Sequence, residues 1–212
     1  MVATRVKICG ITNWADAKLA VDAGADALGF NFYEKSTRYI EPEDARRIVR
    51  RLPKGVEAVG VFVNMRPFSV AALAGEVGLA AAQLHGDEPP NWAQTTAAFL
   101  PVWKAFRIGG TFRLAQLAPF REFAAAFLMD GFSPRARGGT GKTFDWNVAK
   151  RAWRYGRIVL AGGLNAENVP QAIGAVRPWA IDVCSSVEAR PGKKDPARLR
   201  ELMREVQRAN LK

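Results

Sequence analysis

A few side chains stand at the ends of strand-like runs and could move a proton or grip an anion. Cys9 closes Arg5-Val6-Lys7-Ile8-Cys9, just before Gly10 and a helix-like opening at Thr12-Asn13-Trp14. A thiol there serves as acid, base or nucleophile, or else as a small buried hydrophobe. Alternate side chains of a strand share a face, so Lys7 lies on the Cys9 side, where its ammonium would favour a thiolate. Asp130 follows Phe127-Leu128-Met129 and opens a long segment running to Gly141. A carboxylate so placed caps a helix or does chemistry, and the length of the loop favours chemistry. Asp182 and Cys184 share one face of a later run, with Ile181 and Val183 on the other.

Anion-binding features lie apart from this pair. Ala161-Gly162-Gly163-Leu164-Asn165 and Cys184-Ser185-Ser186-Val187-Glu188 follow the last two apolar runs. Glycines let backbone N–H groups approach phosphate oxygens, and serine hydroxyls add donors. Arg38, in a loop after the second run, is either a solvated arginine or a two-pronged clamp for a carboxylate. Gly138-Gly139-Thr140-Gly141-Lys142 lacks the first glycine of a nucleotide-binding loop, since position 136 is alanine. It is expected instead to be a lid, with Arg135 and Arg137 able to approach an anion. His85 is the only histidine; with no carboxylate-rich cluster it offers no metal site and is read as structural or supporting.

These residues need elements to hold them. Apolar β-prone runs fall near 5–9, 26–32, 56–63, 80–84, 101–107, 125–129, 157–161 and 179–184. Helical patterns alternate with them near 14–24, 42–52, 67–77, 90–98, 112–119, 146–154, 166–175 and 195–209. Continuous apolar strands alternating with helices predict a parallel sheet covered by helices. Eight units of about 25 residues predict a single α/β domain over residues 1–212, a (β/α)8 TIM barrel with its site at the carboxyl ends of the strands. A doubly wound open sheet usually has fewer strands, and no Gly-x-Gly-x-x-Gly loop follows the first one.

Composition narrows the classes. With 49% apolar and 24% charged residues the chain is an ordinary globular one. The absence of a long apolar run argues against a membrane span, and the first residues do not resemble a signal peptide. Two cysteines fit a reducing compartment, so a cytoplasmic location is expected. A net charge of +11 raises nucleic acid as a partner. The cations are spread over amphipathic helices and pairs such as Lys193-Lys194, without finger, arm or aromatic–glycine motifs, so a solvated surface is the better reading. The expected partner is an anionic small molecule, not nucleic acid or membrane. Monomer and homodimer both stay open.

The motifs together resemble the phosphoribosylanthranilate isomerase family over essentially the whole chain. They are Lys7-Ile8-Cys9-Gly10-Ile11-Thr12, Gly24 to Phe30 with Lys35-Ser36-Thr37-Arg38-Tyr39, Gly60 to Asn64, Gln83-Leu84-His85-Gly86-Asp87-Glu88, Gly138 to Trp146, and Ala161 to Asn165. The resemblance implies an Amadori rearrangement of N-(5'-phosphoribosyl)anthranilate in tryptophan biosynthesis, with no metal or organic cofactor. It implies Asp130 as general acid, Cys9 as general base and Arg38 as holder of the anthranilate carboxylate. Gly163 and Ser185 would bind the phosphate, with Asp182 beside the sugar. A related barrel, indole-glycerol-phosphate synthase, would instead ask for a catalytic lysine and glutamate at strand ends. This chain departs from the family's usual Asp-Val-Ser-Ser-Gly-Val-Glu in having Cys184 and Ser186. If the glycine normally has positive φ, Ser186 costs about 1 kcal/mol. The first and eighth strands adjoin in a closed barrel, so Cys9 and Cys184 are expected to meet, and a disulfide would need Cα atoms within about 7 Å.

Overall fold

The computed structural model describes residues 3–131 and 145–211. The stretch read as a lid, Arg135 and Arg137 to Lys142, lies outside the described residues. Eight parallel strands close into a barrel: β1 (Arg5–Cys9), β2 (Ala27–Asn31), β3 (Glu57–Phe62), β4 (Ala81–Leu84), β5 (Val102–Ile108), β6 (Ala124–Gly131), β7 (Ile158–Ala161) and β8 (Ala180–Val183). The ring is sealed by β8 pairing with β1, Ile8 opposite Val183. Helices α1 (Trp14–Asp22), α2 (Pro42–Val49), α3 (Pro67–Val77), α4 (Pro90–Ala97), α5 (Trp146–Ala152), α6 (Val169–Val176) and α7 (Pro196–Asn210) cover it.

Two of the predicted elements change and one unpredicted element appears. The expected helix at 112–119 is a 3-10 turn, Leu114–Phe120. Pro119 near its end has no N–H to donate and resists a longer α-helix. Leu117 and Phe120 still bury their side chains, so the turn covers the barrel without being a helix. The helix expected from 166 starts at Val169, because the Asn165 carboxamide oxygen accepts from the Glu167 and Asn168 N–H groups and holds a turn there. Beyond β8, Glu188–Arg190 and Lys193–Lys194 form a small antiparallel hairpin, β9 and β10, that the strand pattern does not predict.

Strand parity divides the core. Ile8, Leu28, Phe30, Phe62, Leu84, Phe127, Met129, Leu160 and Ile181 face the helices, each fully buried or nearly so. Burying such side chains contributes about 1.5–3 kcal/mol apiece and sets which face looks inward. The inward floor is Ala27, Val59, Ala81, Trp103, Ala126, Val159 and Ala180. Above it the same parity aims Lys7, Cys9, Gln83, Arg107, Asp130 and Asp182 at the interior or mouth.

Candidate active site

Cys9 ends β1 beside two partners on β8. Lys7 Nζ donates to Asp182 Oδ1 at 2.8 Å, and Lys7 is wholly buried. Burial works against the Lys7 charge, but Asp182 and Cys9 overcome it and hold its pKa above the usual value. Burial pushes Asp182 up to about 6, with Lys7 pulling it back only in part. The Cys9 thiol is held well below the usual thiol range. A hydrogen bond with Cys184 is the largest cause, and the Lys7 and Lys194 charges add to it against burial. Cys9 and burial push the Cys184 thiol well up, and its Sγ donates to Glu188 Oε1 at 3.8 Å. Both thiols are free. The sequence places Lys7 beside Cys9 but does not give Cys184 the larger part.

Lys194 is the residue that sequence reading misplaces. The charge pattern makes it a solvated cation, yet it is 2% exposed. Its Nζ donates to the Cys9 carbonyl, the Cys184 carbonyl (3.5 Å) and Glu188 Oε1 (3.0 Å). Its backbone N–H donates to Asp16 Oδ2, whose other oxygen takes Lys193 Nζ at 2.6 Å, so the hairpin is pinned to α1. Only the barrel's closure brings position 194 to position 9. A doubled lysine beside an acidic residue is the sole local signal.

Arg38 is neither solvated nor open on all sides. Its Nε and Nη2 donate to both oxygens of Glu188, at 2.6–3.1 Å. Burial opposes the Glu188 charge, but Arg38 and Lys194 together hold its pKa below the usual carboxylate range. Glycine makes the cluster possible. A Cβ on Gly10, whose φ is +76°, would sit 2.7 Å from Arg38 Cδ and 3.0 Å from Cys184 Sγ. On Gly29 it would meet Cys9 Sγ at 2.7 Å.

Asp130 stands across the mouth on β6, in register with Arg107 of β5 and Ala161 of β7. Its side chain is 32% exposed. His85, read as structural, brings Nε2 to 3.4 Å from Asp130 Oδ2. Its Nδ1 lies 2.7 Å from Gln83 Nε2. The sequence holds a usable signal here, because Gln83 and His85 are two apart and so share the inward face.

The two anion loops meet as expected but by unexpected means. Gly162 (φ +85°) and Gly163 (φ +68°) turn tightly after β7. A Cβ on Gly162 would stand 2.2 Å from the Gly131 nitrogen and 2.8 Å from Asp130 Oδ1, so this glycine makes room for the acid's strand. Ser185 is exposed and begins a 3-10 turn, Ser185–Val187. The cost expected of Ser186 does not arise. Its φ is not positive, and its Oγ donates to the Leu164 carbonyl at 2.6 Å, tying the two loops together. Asp182 on β8 and Cys184 just after it thus approach Cys9, while the Gly162–Gly163 turn after β7 stands between β8 and Asp130 on β6.

A second lysine–glutamate pair, Lys104–Glu88 at 2.9 Å, is buried on the helix side of β5. Lys104 also donates to the Leu84 and Gly86 carbonyls, and Glu88 accepts from the Asn64 and Gly86 N–H groups. Both are saturated with partners and turned away from the mouth. Among the described residues no group of three or more metal-ligating side chains occurs, and no helix is long and apolar enough to cross a membrane.

The family model for N-(5'-phosphoribosyl)anthranilate isomerase matches residues 6–205. The chain belongs to that family. An N-(5'-phosphoribosyl)anthranilate isomerase of Citrifermentans bemidjiense is 50% identical over 208 residues, covering 98% of this chain and 99% of the relative. The crystal structure of phosphoribosyl anthranilate isomerase from Thermotoga maritima superposes with TM-score 0.90 at 47% identity, covering 96% of this chain and 98% of that one. A further isomerase structure, in complex with reduced 1-(o-carboxyphenylamino)-1-deoxyribulose 5-phosphate, superposes with TM-score 0.86 at 44% identity over 96% and 98% of the two chains. As in those isomerases, the architecture here is a closed (β/α)8 barrel.

Proposed function

We propose that this single-domain chain converts N-(5'-phosphoribosyl)anthranilate to 1-(2-carboxyphenylamino)-1-deoxyribulose 5-phosphate with its own side chains, Asp130 as general acid and Cys9 as general base. The observation that carries this assignment is geometric: Cys9 ends β1 beside the buried Lys7–Asp182 pair, and Asp130 stands at the same end of the barrel on β6 with its carboxylate partly open to the mouth. Asp130 protonates the furanose oxygen as the ring opens to an iminium. The Cys9 thiolate then takes the C2' proton, giving the enolamine that becomes the ketose. Lys7 and Cys184 keep the thiolate populated before substrate arrives.

The remaining roles follow from position. The 5'-phosphate rests on the N–H groups around Gly163 and on Ser185, between loops that Ser186 ties together. Asp182, fixed by Lys7, faces the sugar. Arg38 offers the anthranilate carboxylate the edge of its guanidinium that Glu188 leaves open, so Glu188 orients the clamp. The partner is one small phosphorylated molecule, and no step calls for a metal or organic cofactor.

Freshly generated N-(5'-phosphoribosyl)anthranilate followed by NMR tests this. Wild type should replace the anomeric proton signal with that of the open-chain ketose, and Cys9→Ala and Asp130→Asn should do so hardly at all. No conversion by folded wild type would overturn the activity, and full conversion by either variant would overturn its assigned role.

A further inference from the structure

Gln83 is an anomaly in the barrel interior. It is 1% exposed, between Val61 of β3 and Trp103 of β5 in register, where an aliphatic side chain would pack without cost. Its Oε1 is buried and has no hydrogen-bond partner among the described residues. A buried acceptor left unpaired is unfavourable, and a residue kept only for packing would shed it. The other end of the same amide is engaged: Nε2 lies 2.7 Å from His85 Nδ1, whose ring reaches Asp130 through Nε2.

A neutral imidazole has one N–H, and the partner of one nitrogen decides where it sits. With the amide nitrogen of Gln83 against it, as here, the ring accepts at Nδ1 and carries its hydrogen on Nε2, facing Asp130; with the amide turned, Oε1 would draw the hydrogen to Nδ1. We propose that Gln83 is a positioning residue for the general acid, selecting the His85 tautomer that turns its N–H toward Asp130, 3.4 Å away. The donor steadies the carboxylate that remains once Asp130 has given its proton to the substrate, and it fixes the carboxyl orientation for the next turnover. The proposal rests on Asp130 being the acid.

Because His85 is the only histidine, its ring nitrogens are directly readable by 15N–1H correlation on histidine-labelled protein. Wild type at pH 8 should show the Nε2–H pattern. Gln83→Glu puts a carboxylate acceptor against Nδ1 and should move the hydrogen there; kcat should fall at least tenfold with KM within about twofold. Gln83→Met, similar in size and without a hydrogen-bonding amide, should give a mixture of tautomers and an intermediate kcat. A wild-type ring carrying its hydrogen on Nδ1, or an unchanged tautomer in Gln83→Glu, would overturn the proposal whatever the activity. A changed tautomer with unchanged kcat would also overturn it. If wild type turns over nothing, the acid assignment fails separately, since the ring pattern is read without substrate.

A different observation bears on the thiols. Cys9 and Cys184 each follow the last registered pair, Ile8 and Val183, and one ammonium, Lys194 Nζ, bonds both of their carbonyls. Adjacent strands are about 4.8 Å apart, within the Cα separation a disulfide spans. The geometry points to a reversible oxidation site formed by this pair, with a hydroperoxide as oxidant. The Cys9 thiolate attacks the peroxide oxygen, the O–O bond breaks, and a sulfenic acid and the alcohol or water result. Cys184 sulfur then attacks Cys9 sulfur; the S–O bond breaks, and hydroxide leaves with the Cys184 proton as water. Two electrons pass to the peroxide and the protein loses two hydrogens.

Stoichiometric hydrogen peroxide should therefore inactivate wild type with a mass loss of about 2 Da, and dithiothreitol should restore both. Under the same stoichiometric peroxide Cys184→Ser should instead gain about 16 Da as a sulfenic acid, and under excess peroxide it should pass to an irreversible sulfinic acid and stay inactive after reduction while wild type recovers. Wild type that only gains oxygen, or a Cys184→Ser variant that recovers from the excess as fully as wild type, would overturn the site.

Discussion

Around Cys9, Lys7 pairs with Asp182, and Lys194 and Arg38 pair with Glu188, all buried or nearly so but the partly exposed Arg38, while Asp130 across the mouth keeps a third of its side chain exposed and meets one imidazole. The β8–β1–β2 wall carries paired, buried charges; the β4–β5–β6 wall gives Asp130 only His85 and, in register on β5, the exposed Arg107. A thiol is a weak base-former at neutral pH, so its wall must carry fixed cations and a donor to remove its proton. A carboxyl group that cycles between protonated and ionised forms gains little from a fixed charge. It needs a partner that tolerates both, which an imidazole does. The asymmetry is the one that the proposed roles, base for Cys9 and acid for Asp130, would require.

The hardest way to break this contrast is to remove the base itself. Cys9→Ala should lower kcat about 10³-fold, within the usual range for losing a general base, while thermal melting stays near wild type. A tenfold loss or less would mean the charged wall serves something else. Next, Lys7→Met should cost about 3 kcal/mol in urea denaturation, because it strands Asp182 in the interior. The sign with pH is definite. The folded pKa of Asp182 is already raised to about 6 and would rise further without Lys7. An acid with a raised folded pKa stabilises the fold when protonated, so the variant's deficit should narrow as pH falls through that value. A deficit that widens instead would contradict the burial of Asp182.

The donor from β8 offers a finer cut. In wild type the rising limb of kcat/KM should lie on the acid side of the ordinary thiol range. Cys184→Ala deletes the largest cause and should move the limb to higher pH; Cys184→Ser keeps a donor and should move it less. An unmoved limb in the alanine variant would show that the cations alone suffice. Smallest of all is Ser186→Gly. Losing the Oγ bond to Leu164 should cost about 1 kcal/mol or less and raise KM for the phosphorylated substrate two- to threefold, with kcat intact. A lower KM would mean that the serine obstructs the phosphate.

The sequence by itself determined the eight alternating units, the inward parity of Lys7, Cys9, Gln83 and Asp182, and the two anion loops, because two-residue alternation and strand-end position are local properties. It also separated Cys9 from Asp130 by enough strands to set them across a barrel mouth. It mistook the 112–119 element for a helix, weighing apolar spacing over Pro119. The tertiary structure alone decided that Lys194 spans Cys9 and Cys184, that Glu188 grips Arg38, that His85 meets Asp130 and that Ser186 costs nothing. Each of these depends on which strand or loop end stands beside which. Barrel closure fixes that by bringing together positions up to 185 residues apart, a distance at which no spacing in the chain carries a signal.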